Sequence, residues 1–178
     1  TEGFATLEEG LKIFDEVAKA PLTLITEGAN SEIIEKALES LGVSGVSVLK
    51  GLEAITGKDQ LKTLFQFLGS VDHKGKVLFV WDCDVKHRLE AKNNTFPYVL
   101  PKNEGNNLAV KGIENVFPES LFDGFTKTVV LANKTRIDQF DESTKKAFVE
   151  KVCADASVED FAHVASLVVE IERIKTLS

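Results

Sequence analysis

Apolar residues recur along this chain in two alternating rhythms. Leu7, Leu11, Phe14 and Val17 stand at helical spacing and predict an opening helix over residues 1–20, stopped by Pro21. "LTLIT" (22–26) is an unbroken apolar run, predicting a short buried strand that leads at once into Glu27-Gly28. Ile33, Ile34, Ala37, Leu38 and Leu41 mark a helix closed by Gly42. "VSVLK" (46–50) predicts a second strand, and Leu61, Leu64, Phe65 and Leu68 another helix. "KVLFVWD" (76–82) predicts the third strand, rich in the β-branched and aromatic residues that sheets favour. "TFPYVLP" (95–101) and "KTVVLA" (127–132) predict a fourth and a fifth, with the polar run "KNEGNNLAVKG" (102–112) as a loop between them. From Asp141 on the pattern is helical, and Phe161, Val164, Ala165, Val168 and Ile171 line one face of a last helix.

Strand, helix, strand, helix, strand predicts an α/β fold with a parallel central sheet. Right-handed crossovers put helices on both of its faces. The expected organisation is an N-terminal helix (1–20), an α/β core (21–135) and a C-terminal helical segment (136–178) packed on the same domain. Composition adds little: 43% hydrophobic and 28% charged residues in 178 are ordinary for a globular chain with a real core. No apolar run approaches the roughly 20 residues that span a bilayer, so no membrane partner is expected. The acidic start is unlike a signal or transit peptide. Two cysteines, Cys83 and Cys153, give no disulfide framework, which makes a reduced cytoplasmic setting the default. The absence of methionine predicts a processed start or a piece of a longer chain. A net charge of −7 argues against binding nucleic acid through a basic surface alone, but not against binding bridged by metal ions.

The candidate chemistry lies at strand ends. In open parallel sheets ligands bind beyond the carboxyl ends of the strands, where strand order reverses. Glu27 follows the first strand, and "DCD" puts Asp82 and Asp84 after the third. If those strands are neighbours, their ends lie about 5 Å apart. Residues two apart on extended chain face the same way, so the three carboxylates can converge. Such a cluster is unfavourable without protons or a cation, and a hard ion such as Mg²⁺ or Mn²⁺ suits oxygen ligands. Gly28 lets the backbone turn sharply and a ligand approach, with amides at the start of the next helix facing an anion such as phosphate. The competing reading is that Asp and Glu-Gly at strand ends serve turns. His73, His87 and His163 lack zinc-ligand spacing, and no G-x-x-x-x-G-K-[ST] phosphate loop occurs.

"LTLITEGANSEIIEKALESLG" followed by "KVLFVWDCDV" resembles the Toprim domain of topoisomerases, primases, recombination mediators and OLD-like nucleases. "GIENVFPESLF" (112–122) and "STKKAFVEKV" (143–152) are closest in style to the OLD-like nucleases. The resemblance implies a Toprim-like fold over about residues 20–170. It implies Glu27 as a metal ligand or general acid/base, Asp82 and Asp84 as the metal pair, and Glu114 as a further acid near a second metal. A helix-start acid explains Glu114 equally well. Lys145 or Lys146 matches a lysine at the scissile phosphate, and a solvated helix face explains the pair equally well. Where OLD-like nucleases carry an aspartate four residues after the glutamate, this chain has Ser31 with Glu32 beside it.

The function expected from this resemblance is metal-dependent phosphodiester hydrolysis, with DNA or RNA as substrate and Mg²⁺ or Mn²⁺ as cofactor. An ATPase domain in the same gene or a neighbouring one is the expected partner, and a homo-oligomer is compatible. Lys86 and Arg88, with Lys92, are the candidate phosphate contacts, against the reading of a solvated helix face. The alternative is a non-catalytic Toprim module that binds an ion and a partner. A receiver-like signalling domain fits less well, because it wants its acid pair after the first strand.

Overall fold

The structure, a computed structural model, describes residues 20–28, 30–50 and 57–178, and the expected opening helix lies outside them. Four parallel strands form the central sheet in the order β2-β1-β3-β4: β1 Leu22–Thr26, β2 Val46–Val48, β3 Lys76–Trp81 and β4 Thr95–Val99. Helix α1 (Asn30–Ser40) connects β1 to β2, and α2 (Lys58–Gly69) precedes β3. The chain therefore runs outward from β1 on one side and returns past it to β3, so strand order reverses between β1 and β3.

Both faces of the sheet are covered, which is why "LTLIT" and "VLFVW" are buried without a polar alternation. Leu22, Leu24, Leu78 and Val80 meet α1 and the C-terminal helices α3 (Lys145–Asp155) and α4 (Ala165–Thr176). Ile25, Val77, Phe79 and Trp81 meet Leu61, Leu64, Phe65 and Leu68 of α2. Helix α1 closes where Gly42 was expected to close it: Val43 N–H donates to the Leu38 carbonyl and Gly42 N–H to that of Glu39. Pro97 is accepted within β4 because that strand is an edge. No helix among the described residues is long and apolar enough to cross a membrane.

Three elements differ from the sequence pattern. The fifth strand (β5, Thr126–Val130) does not join the central sheet; it pairs antiparallel with β6, Arg136–Phe140. "RIDQF" carries only two apolar residues, so its strand character comes from the partner across the hairpin and not from hydrophobic rhythm. Regular α-helix accordingly begins at Lys145 and not at the 136 boundary. In the last segment residues 159–164 form a 3₁₀ turn, which puts Leu167 in the core and leaves Ala165 exposed.

The 102–112 loop has no regular backbone and is held by three buried asparagines. Asn115 Oδ1 accepts from Asn103 N–H at 2.7 Å, and its Nδ2 donates to the Ala109 carbonyl at 2.7 Å. Asn106 Oδ1 accepts from Leu108 and Ala109 N–H groups, and its Nδ2 donates to the Phe117 carbonyl at 2.9 Å. This network replaces the ladder bonds a strand would have provided. Asn115 is fully buried, so Asn115→Ala strands a donor and an acceptor and is expected to lower stability by about 3 kcal/mol in urea unfolding.

Candidate functional site

Parallel pairing of β1 with β3 brings Thr26 opposite Val80, and the Thr26 hydroxyl donates to the Val80 carbonyl at 3.0 Å. The residues that follow, Glu27 and Asp82, therefore emerge from adjacent strand ends at the point where strand order reverses. There they line an open cavity of about 260 Å³ together with Asp84, Glu114, Glu142, Lys58, Lys111, Lys145, Gly57 and Gly112. Five carboxylates face three lysines, so the fully ionised cavity carries two uncompensated negative charges.

Asp82 is the most confined of the strand-end acids, with 7% of its surface exposed. Asn30 Nδ2 donates to both of its oxygens, at 3.0 and 3.2 Å. Burial, then the nearby Glu27 and Glu114, push its pKa up to about 7, against the pull of Asn30 and Lys145. Burial and Asp84 likewise raise Glu27, only partly offset by Lys145 and Lys58. β3 ends at Trp81, and the backbone turns through Cys83 and Asp84, with Val85 N–H donating to the Asp82 carbonyl. Strand alternation thus does not carry through to Asp84. That residue is exposed, 3.8 Å from Lys58 Nζ, and its Oδ1 accepts from Gly112 N–H at 3.4 Å.

Glu114 enters from a 3₁₀ turn (113–116) and is almost wholly buried. Its Oε1 lies 2.9 Å from Lys145 Nζ, an ion pair by distance whose angles are not those of a hydrogen bond. Gly112 makes this approach possible: its φ is +73°, and a Cβ there would come within 2.5 Å of Glu114 Oε2. Burial alone would lower Lys145; the charge and contact of Glu114, with Asp82 and Glu142 beyond, outweigh it and hold the ammonium protonated above its usual range. Lys145 is aimed by Phe148, one helical turn along α3 on the same face and in ring contact with Phe117, Phe122, Phe125 and Phe140. Lys146 is exposed and does not line the cavity.

Other candidates from the sequence lie elsewhere. Lys86 and Arg88 are exposed on a stretch without helix, alternating with inward Val85, His87 and Leu89, and neither lines the cavity. The same stretch rules out a solvated helix face there; it continues to Lys92. Gly28 takes the turn with φ +28°, but the amides of Asn30 and Ser31 are spent on the Glu27 and Gly28 carbonyls and not on an open anion site. Ser31 is buried with its hydroxyl on the Gly28 carbonyl, and Glu32 lines a separate groove on the far side of α1. Asn30, Lys58, Lys111 and Glu142 were not legible as site residues. They sit on four different segments, and no spacing in the sequence ties them together.

Among the described residues, no three carboxylate, histidine or cysteine side chains stand as a ready-made ligand group for a metal ion. Each of three acids instead has a protein partner: Asp82 is hydrogen-bonded by Asn30, Asp84 is ion-paired with Lys58 and Glu114 with Lys145. The donor set nevertheless fits a hard divalent cation. It is all oxygen, it is two charges short of neutrality, and Asp82 is driven towards protonation by burial first and by the neighbouring Glu27 and Glu114 next.

Asp82 also sets a pH dependence. A carboxyl that holds its proton more tightly folded than unfolded stabilises the fold at low pH, and that contribution disappears as pH rises from 3.8 through about 7. In EDTA, urea unfolding should show the wild type losing up to about 4 kcal/mol across that window. Asp82→Asn should lose much less and be the more stable protein at pH 8.

Compared with family models, with curated proteins and with solved structures, the chain matches none.

Proposed function

We propose that this chain binds Mg²⁺ or Mn²⁺ in the β1/β3 cavity and hydrolyses phosphodiester bonds of nucleic acid, as a Toprim-like nuclease domain. One observation carries the reading: Glu27 and Asp82 leave neighbouring parallel strands at the point where strand order reverses, and a half-buried lysine stands across the same cavity. Glu27, Asp82 and Asp84 would hold the ion, with Glu114 within reach of a second. A bound divalent ion supplies Lewis-acid polarisation of the phosphoryl group and a more acidic water.

The protein's own groups have separate tasks. Glu27, half-buried and with its proton affinity raised by burial and Asp84, is a stronger base than an ordinary carboxylate. Lys145, held protonated by Glu114, faces the cavity as a fixed positive charge for the phosphoryl oxygens. Asn30 orients Asp82 through both oxygens. Lys58 keeps Asp84 at the rim. An ATPase partner, in the same chain or a neighbouring gene, belongs to this reading through the resemblance to OLD-like nucleases.

A second reading has its own support. Ser31 turns its hydroxyl onto the Gly28 carbonyl and offers nothing to a second ion, which favours a non-catalytic module that binds one ion and a partner.

Supercoiled plasmid with Mg²⁺ or Mn²⁺ tests the proposal. Nicking should fall about a hundredfold or more in Asp82→Ala and in Glu27→Gln, with the far-ultraviolet circular dichroism of each variant unchanged. Calorimetry should show ion binding to the wild type and none to Asp82→Ala. Ion binding without nicking selects the module; neither nicking nor ion binding ends both readings.

A further inference from the structure

The β5–β6 hairpin is exposed over most of both faces. A two-stranded ribbon alone is marginal in water, and packing beneath only its base steadies this one. Phe140 is buried among Phe122 and Phe148, its N–H donates to the Leu108 carbonyl at 2.7 Å, and Asp141 N–H donates to that of Phe125 at 2.8 Å. Beyond that base, Val130, Leu131 and Ile137 are open to solvent, Val130 to 60%.

The ribbon is locally basic in an acidic chain. The chain carries −7, yet residues 126–140 carry Lys127, Lys134 and Arg136 against the single acid Asp138. Lys127 is paired with Asp141, and Asp138 accepts from the Thr128 hydroxyl. Lys134 and Arg136, at the tip, have no ion pair among the described residues. The ribbon also adjoins the carboxylate cavity. Lys111 and Glu142 line that cavity and also a second one, under the ribbon, bounded by Ile137, Gln139 and Phe140.

We infer that the β5–β6 hairpin is a duplex-DNA-binding ribbon that holds the substrate across the carboxylate cavity, so that the exposed cations, and not Lys86 and Arg88, grip the strand. The inference rests on the phosphodiester reading of that cavity and names its substrate class. Four residue steps at about 3.4 Å carry the tip about 14 Å from the base, close to four base-pair steps. A two-stranded ribbon enters the wide major groove of B-form DNA, where Val130, on the same face as its pairing partner Arg136 and opposite the face that bears Ile137, can meet thymine methyl groups. The deep, narrow major groove of an RNA duplex does not admit it. Two tip cations against phosphates make the contact salt-dependent.

Fluorescence anisotropy with a 20-base-pair DNA duplex, the matching RNA duplex and the single strand tests this, in EDTA and in Mg²⁺. The wild type should bind the DNA duplex most tightly. The Lys134→Ala/Arg136→Ala variant should bind it about tenfold more weakly, with the slope of log affinity against log salt reduced by about 2. Mg²⁺ binding by calorimetry should be unchanged in that variant. No duplex binding by the wild type, equal binding by the variant, or preference for RNA overturns the inference. A variant that only converts a dimer to a monomer in sedimentation also overturns it, because the ribbon would then face a second copy. Failure of the cation reading appears separately, as no Mg²⁺ binding, and leaves the EDTA titrations to decide the ribbon.

Discussion

Negative charge gathered at the ends of two paired parallel strands has to be balanced, and the surroundings of the β1/β3 junction follow from that requirement. The register that sets Thr26 against Val80 forces Glu27 and Asp82 together. With no cation supplied by the strands themselves, positive charge and N–H donors arrive from elsewhere in the chain. Asn30 comes from the first turn of α1, Lys58 from the start of α2, and Lys145 from the start of α3. The last stands against Glu114, so the cavity gains a half-buried pair without changing its net charge. With Glu114 buried and Lys145 half-exposed, the pair contributes little net stability, but removing the lysine would leave a buried carboxylate uncompensated, which ties the position of Lys145 to that of Glu114.

Precision at this junction depends on packing some distance away. Phe148 sits among four other aromatic rings and holds α3 so that Lys145, one turn earlier, faces the cavity. The asparagine network does the same for the opposite wall. It fixes the 102–117 segment, and hence Gly112 and Glu114, by hydrogen bonds rather than by regular structure. One wall is therefore set by apolar contact and the other by polar satisfaction. Neither depends on the acids it positions.

The difference between an α/β scaffold and a site on it is visible in what each asks of the chain. The scaffold needs only apolar runs of the right length, and these are strong in β1 and β3 because both sheet faces are covered. The hairpin needs less: Val130, Leu131 and Ile137 of its outer half stay open to solvent, so "RIDQF" carries no hydrophobic signature and "KTVVLA" reads as one more strand of the central sheet. Asp84 shows the same limit at single-residue scale. The two-residue repeat that aligns it with Asp82 holds on extended chain, and the chain turns one residue too early.

Local order was legible from residues alone: the strand–helix alternation, the Gly42 helix end, the loop at 102–112, and the acids that leave β1 and β3. These depend on neighbours a few positions apart, where period and turn chemistry act directly. Which strand lies beside which, that Lys145 and not Lys146 faces the acids, and that Asn30, Lys58, Lys111 and Glu142 join them, were decided by contacts between distant segments. A charge paired across 31 residues, as Glu114 is by Lys145, leaves no mark in spacing because only folding brings the two together.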